Sequence, residues 1–132
     1  MTGQRILVTG ASGYLGRQVV ARLAEAALTG HPACVVAHDI RASSERLPGV
    51  VYEEADIRDV RMDDIIARHG IDTVVHLASI VTPGKDSNRA LEYDVDVNGT
   101  RNVLTACVEQ GVKHVIVSSS GAAYGYHADN PD

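Results

Sequence analysis

The sequence predicts a doubly wound α/β fold, a parallel sheet wrapped by crossover helices, and three observations predict it. Short apolar runs of strand length alternate with longer segments of helical period. Phe and Trp are absent, so Val, Ile, Leu and Ala must fill the core, which suits parallel strands buried on both faces. A glycine array stands directly between the first apolar run and the first helical segment.

Strands are expected over residues 5–9, 33–39, 50–54, 73–77 and 114–118, in the sheet order 3-2-1-4-5. A first helix is expected over 14–28, because Leu15, Val19, Val20, Leu23, Ala24, Ala27 and Leu28 mark one face. Gly30 and Pro32 then stop it. A second helix starts from an Asp59 N-cap, carries Ile65, Ile66 and His69, and ends at Gly70. A third spans 87–110 and turns Leu91, Val95, Val103, Leu104, Cys107 and Val108 inward. Gly99 inside it costs about 1 kcal/mol relative to Ala, which implies a close packing neighbour or a bend. Residues 41–49 form a polar loop with a Pro-Gly pair.

At 132 residues and 45% hydrophobic content, the chain can bury one core and is too short for a separate substrate domain. A net charge of −5 leaves no basic patch for nucleic acid or an anionic membrane. No charged segment leads into a long apolar stretch at the amino terminus, so a cytoplasmic protein is expected. Cys34 and Cys107 have no CxxC partner and read as buried free thiols, and the histidines show no ligand spacing, so no metal is expected.

The glycine array runs Gly10-Ala11-Ser12-Gly13-Tyr14-Leu15-Gly16. Between a strand and a helix, Gly10 permits the tight turn, Gly13 lets backbone approach a pyrophosphate, and Gly16 allows the helix to pack closely on the strand. The phosphates then meet the free amides and positive end of the helix. This is the phosphate site of a Rossmann-type fold and implies a dinucleotide. Asp39 closes the second strand roughly twenty residues further on, followed by Ile40. Its carboxylate would accept from adenosine ribose hydroxyls and repel a 2′-phosphate, which favours NAD over NADP. Arg41 and Arg46 follow closely and could partner that phosphate.

The GxxGxxG spacing resembles the extended short-chain dehydrogenase/reductase family, including its NAD-dependent epimerase/dehydratases, and four further segments agree in order. Asp56-Ile57 resembles the pair in which the acid meets the adenine amino group. His76-Leu77-Ala78-Ser79 resembles the segment whose backbone lines the cofactor. Tyr93 through Asn98-Gly99-Thr100 is similar to YxxNVxGT, and Ser118-Ser119-Ser120-Gly121-Ala122-Ala123-Tyr124-Gly125 to the SSSxxxYG strand end.

The resemblance implies that Ser120 takes the place of the catalytic Ser/Thr that hydrogen-bonds the reacting oxygen, with Ser118 beside the cofactor and Tyr124 either near substrate or in packing. It implies oxidation and reduction at a hydroxyl/keto carbon of a sugar nucleotide or similar small molecule. A non-catalytic NAD-binding regulatory module and a reductase of steroid-like or flavonoid-like alcohols are the alternatives. Two departures stand out. Asp96 occupies the Asn position of the motif, so an amide that donates and accepts gives way to a group that, when ionised, only accepts. And none of Tyr14, Tyr52, Tyr93, Tyr124 or Tyr126 has Lys four residues later, so the YxxxK general acid/base of the family is missing. The expectation is a truncated chain, inactive alone, whose last strand and adjoining helix expose Val115 and Val117 and favour a homo-oligomer.

Overall fold

The protein is described here by a computed structural model covering residues 3–41, 43–80, 88–120, 125 and 127–129. Five parallel strands, β1 (Arg5–Thr9), β2 (Cys34–Asp39), β3 (Val50–Glu54), β4 (Thr73–His76) and β5 (His114–Val117), pair in the order β3-β2-β1-β4-β5. The expected order is therefore the observed one. The second strand starts one residue later than expected, and the fourth and fifth end one residue earlier.

Helix α1 (Tyr14–Ala27) covers one face of the sheet, where Ile6, Val8, Val20 and Ala37 form a core. Leu15 and Leu28, expected inward, are exposed, and only Gly16 and Val20 are fully buried. On the other face α2 (Arg61–Arg68) and α4 (Thr100–Glu109) bury a larger cluster that includes Leu7, Met62, Ile65, Ile66, Val74 and Val103. The N-cap position of α2 is Val60, not Asp59. Asp59 nonetheless does the capping chemistry, because its Oδ1 accepts from the Arg61 amide at 2.9 Å, and a valine has nothing to offer that donor. Cys107 is buried in the larger cluster, whereas Cys34 is only half-buried against it.

The single third helix expected from the sequence is three segments: α3 (Arg89–Tyr93), a π-helical stretch (Asp94–Gly99) and α4. Residue 87, its expected start, lies outside the described residues, and Asn88 caps α3 by accepting from the Leu91 amide at 3.2 Å. The interruption has a packing cause. A Cβ on Gly99 would stand 2.6 Å from Ile57 Cδ1, so glycine lets the helix press on the loop after β3. Asn102 fastens the same contact by donating to the carbonyls of Ile57 (2.7 Å) and Asp59 (2.9 Å). Leu104 and Val108, expected inward, are exposed, and Leu91, expected in the core, lines the cleft instead.

Candidate functional site

The cleft lies at the carboxyl ends of the strands, where the order reverses between β1 and β4, the place an open α/β sheet presents a ligand. Its cavity of about 1240 Å³ exceeds the roughly 300–1,000 Å³ of a drug-sized site. Its floor is the turn from β1 into α1. Gly10 there has φ +70, and a Cβ on it would stand 2.7 Å from the Ala78 amide nitrogen, so glycine lets the end of β4 lie against the turn. At Gly16 a Cβ would overlap the Gly10 carbonyl oxygen, which is what close helix-on-strand packing demands. Gly13 differs: its nearest such neighbour is the Gly10 oxygen at 3.4 Å, and the space above it belongs to the cleft.

Helix α1 begins at this opening with no side-chain cap bond and no acidic residue in its first turn. Tyr14 and Leu15 are exposed there, 81% and 52%. The orphan amides and positive end of α1 therefore point into a cavity rather than at a protein acceptor, which is the electrostatics of an anion site.

Asp39 stands at the β2 end of the cleft. Its Oδ2 accepts from the Ser12 amide at 2.9 Å and its Oδ1 from the Ile40 amide at 2.7 Å, so the carboxylate is oriented by backbone with lone pairs to spare. Ser12 in turn donates its hydroxyl to the Arg41 carbonyl at 2.8 Å. The second cation of this loop, Arg46, lies over the Tyr52 ring at 4.8 Å, and the Tyr52 hydroxyl accepts from the Leu47 amide at 2.8 Å.

Asp56 lines the cleft, but Arg58 holds its carboxylate: Nε to Oδ1 at 3.0 Å and Nη2 to Oδ2 at 2.6 Å, with the Arg58 amide also on Oδ1. The Arg58 hydrogen bonds keep the Asp56 carboxyl below the usual carboxylate range against the opposing effect of burial. Arg58 also reaches Asp94 at 2.7 Å, joining the loop after β3 to the π-helical stretch.

The end of β4 is fixed by a buried polar chain. Thr9 Oγ1 accepts from the amides of Leu77 (3.1 Å) and Ala78 (3.3 Å) and contacts His76 Nδ1 at 2.7 Å. Having accepted twice, the hydroxyl gives its one proton to Nδ1, which leaves His76 Nε2–H to donate to Thr100 Oγ1 at 2.9 Å. Beyond it, Asp96 Oδ1 accepts from Ser79 Oγ at 2.9 Å and the Ile80 amide at 3.0 Å.

Every cofactor residue expected from the sequence lines this one cleft: Gly10, Ser12, Gly13, Tyr14, Leu15 and Gly16 on the floor, Asp39 and Ile40 at one end, and Asp56 and Ile57 beside them. Leu77, Ala78, Ser79 and Ser118 form the far wall, with Ser120. Tyr124 lies outside the described residues. Sequence reasoning missed Arg58, Ile80, Leu91 and Val95 as lining residues, along with buried His38. The first of these follows Asp56-Ile57 directly, so a basic residue two places after a cleft acid was a usable signal. The others reach the cleft only through the packing of β2, the segment after β4 and the helical segments that follow, and carried none.

Comparisons with known proteins agree with this geometry. Residues 6–132 match the family model of the NAD dependent epimerase/dehydratase family. A UDP-glucose 4-epimerase of Halalkalibacterium halodurans is 35% identical over 91% of this chain, which spans 36% of that protein's length. One of Klebsiella pneumoniae is 33% identical, with 92% of both sequences covered. A UDP-glucose 4-epimerase structure from Stenotrophomonas maltophila, with bound NAD and formylated UDP-arabinopyranose, superposes with a TM-score of 0.78 at 30% identity, covering 98% of this chain and 40% of that one.

Proposed function

The chain belongs to the NAD dependent epimerase/dehydratase family, and we propose that its cleft holds NAD for an oxidoreductase or epimerase acting on a nucleotide sugar. The observation that carries this reading is the uncapped, acid-free amino terminus of α1 opening into the same cavity as the oriented Asp39 carboxylate. The residues fit the cofactor. The α1 amides and the turn around Gly13 would take the pyrophosphate, Asp39 the adenosine ribose hydroxyls, and the loop at Asp56-Ile57 the adenine. Arg46, one of the two arginines that could partner a 2′-phosphate, is stacked on Tyr52, which supports NAD over NADP.

Bound nicotinamide would accept a hydride from the substrate carbinol carbon and return it. The chain's own contribution there is Ser120, at the rim beyond β5, which would hydrogen-bond the reacting oxygen. A sugar-nucleotide substrate is supported by the Halalkalibacterium, Klebsiella and Stenotrophomonas proteins, all UDP-glucose 4-epimerases.

Calorimetric titration of the chain with NAD and with NADP tests the cofactor reading. NAD is expected to bind at least about tenfold more tightly, the scale of one charge-assisted hydrogen bond to the ribose and one repulsion avoided. Asp39→Ala is expected to erase the difference. Equal affinities in the unaltered chain would overturn the preference and point to Arg41 or Arg46.

A further inference from the structure

Asp96 is one residue that departs from the YxxNVxGT motif, and the structure gives it a defined place. It sits on the π-helical stretch with Oδ1 accepting from Ser79 Oγ and the Ile80 amide. Both donors are neutral groups, so these bonds fix the carboxylate without cancelling its charge. Ser79 and Ile80 are themselves wall residues of the cleft, as is neighbouring Val95. Asp96 therefore stands directly behind that wall, half-buried and held in one position.

The cleft has two ends in sheet order. Asp39, at the end of β2, marks one, while Ser79, Ile80 and Ser120, after β4 and β5, mark the other. Resting on the cofactor reading above, a dinucleotide with its adenosine ribose at Asp39 must extend its second nucleotide across the turn at Gly13 toward the Asp96 end. Oxidised and reduced forms share the adenosine and pyrophosphate. They differ by one positive charge on the nicotinamide ring. A fixed negative charge behind that end of the cleft separates the two forms, whereas an asparagine would not.

We propose that Asp96 biases the cleft toward the oxidised cofactor by its charge, making this chain hold NAD+ in preference to NADH. Asp96 touches neither the ring nor the substrate; it acts through space from behind Ser79 and Ile80. A fixed unit charge in a partly screened site separates two ligands that differ by one charge by about 3- to 10-fold in relative affinity.

The test is calorimetric titration of the purified 132-residue chain and its variants with NAD+ and NADH separately. Asp96→Asn retains an Oδ1 that can accept from Ser79 and Ile80, so it removes the charge and keeps the clamp. The expected result is a Kd ratio, NADH over NAD+, that falls about 3- to 10-fold in Asp96→Asn and equally in Asp96→Ala. In the unaltered chain the ratio should shrink as salt is raised, while in the variants it stays flat. An unchanged ratio in Asp96→Asn overturns the proposal, as does a ratio that moves only in Asp96→Ala, because that assigns the effect to the clamp. Failure of the unaltered chain to bind either form would overturn the cofactor reading and this proposal together, a result distinct from an unmoved ratio.

Discussion

The two ends of the cleft are supported differently. At the Asp39 end, β1 and β2 each bury four consecutive residues, with α1 on one face and the α2/α4 cluster on the other. At the Ser120 end, every residue of β5 is exposed, Ile116 at 57%. The two strands lie in one sheet and carry the same residue types, so composition does not explain the difference. Cover does: β2 contributes residues to both core clusters and the other edge strand, β3, packs Val50 and Tyr52 against one of them, whereas β5 contributes to neither. The half of the cleft proposed for adenosine thus rests on strands buried in two core clusters. The half that would carry chemistry rests on a strand with far less of its surface covered.

The glycine turn gives the largest test of that contrast. Gly16→Val drives a side chain into the Gly10 carbonyl and the Ala11 Cα, backbone that cannot yield, so a loss of at least about 3 kcal/mol or of the fold itself is expected. Gly13→Val, three residues away, places a Cβ that meets nothing closer than 3.4 Å, with the cleft beyond it, and should leave circular dichroism and melting nearly unchanged while removing cofactor affinity. A folded Gly13→Val chain with undiminished affinity would sink the assignment of the turn to the pyrophosphate.

Core truncations measure the framework directly. Leu7, fully buried at the centre of β1, is expected to lose about 2–5 kcal/mol as Leu7→Ala. Ile116→Ala on β5 should lose less than about 1 kcal/mol, since most of that side chain already faces water. Denaturant midpoints of the two variants decide it. Equal losses would mean that β5 is covered in solution, and light scattering on the unaltered chain would then show whether a second copy does the covering.

The legible parts of this molecule were those governed by short-range rules. The glycine array, Asp39 and the five apolar runs each obey a spacing that backbone geometry imposes, and the structure gathers them where the fold class requires. The helix after β4 was legible only as apolar period. Gly99 did announce a close neighbour or a bend there, but that the neighbour is Ile57 and the bend a π turn over Asp94–Gly99 depends on a contact between residues far apart in sequence. The same limit hid the Thr9–His76–Thr100 chain and the Arg58 clamp on Asp56 and Asp94. Each member is ordinary alone, and the register of β1 with β4, or the reach of one arginine, makes the set.

The smallest expected effect compares two histidines in one row of the sheet. His38 on β2 and His76 on β4 both pair in register with Thr9. His76 bonds Thr9 and Thr100, whereas both ring nitrogens of His38 are buried without a partner among the described residues. Burial holds both imidazoles below their usual titration range; for His38 the nearby acids Asp39, Glu53 and Asp56 oppose this, and for His76 the His38 charge adds to it. Unfolded, each takes a proton near pH 6.5, and folded, each resists it, so stability is complete above that pH and falls as pH drops through and below it. Glu53 and Asp56 are shifted downward and titrate below this window, so the two buried histidines lower stability as pH falls from 7.5 to 5.5, while Glu109, raised by its hydrogen bond with Asp63, acts in the opposite sense toward the acid end. His38→Leu fills a similar space without two unpaired nitrogens, so it should match or slightly exceed the unaltered chain at pH 7.5. At pH 5.5 it should be ahead by about 1 kcal/mol, with His76 among the groups that set the remaining slope. Thermal melts at the two pH values read this directly, and a slope unchanged by His38→Leu would show that His38 is protonated as easily in the folded chain as in the unfolded one.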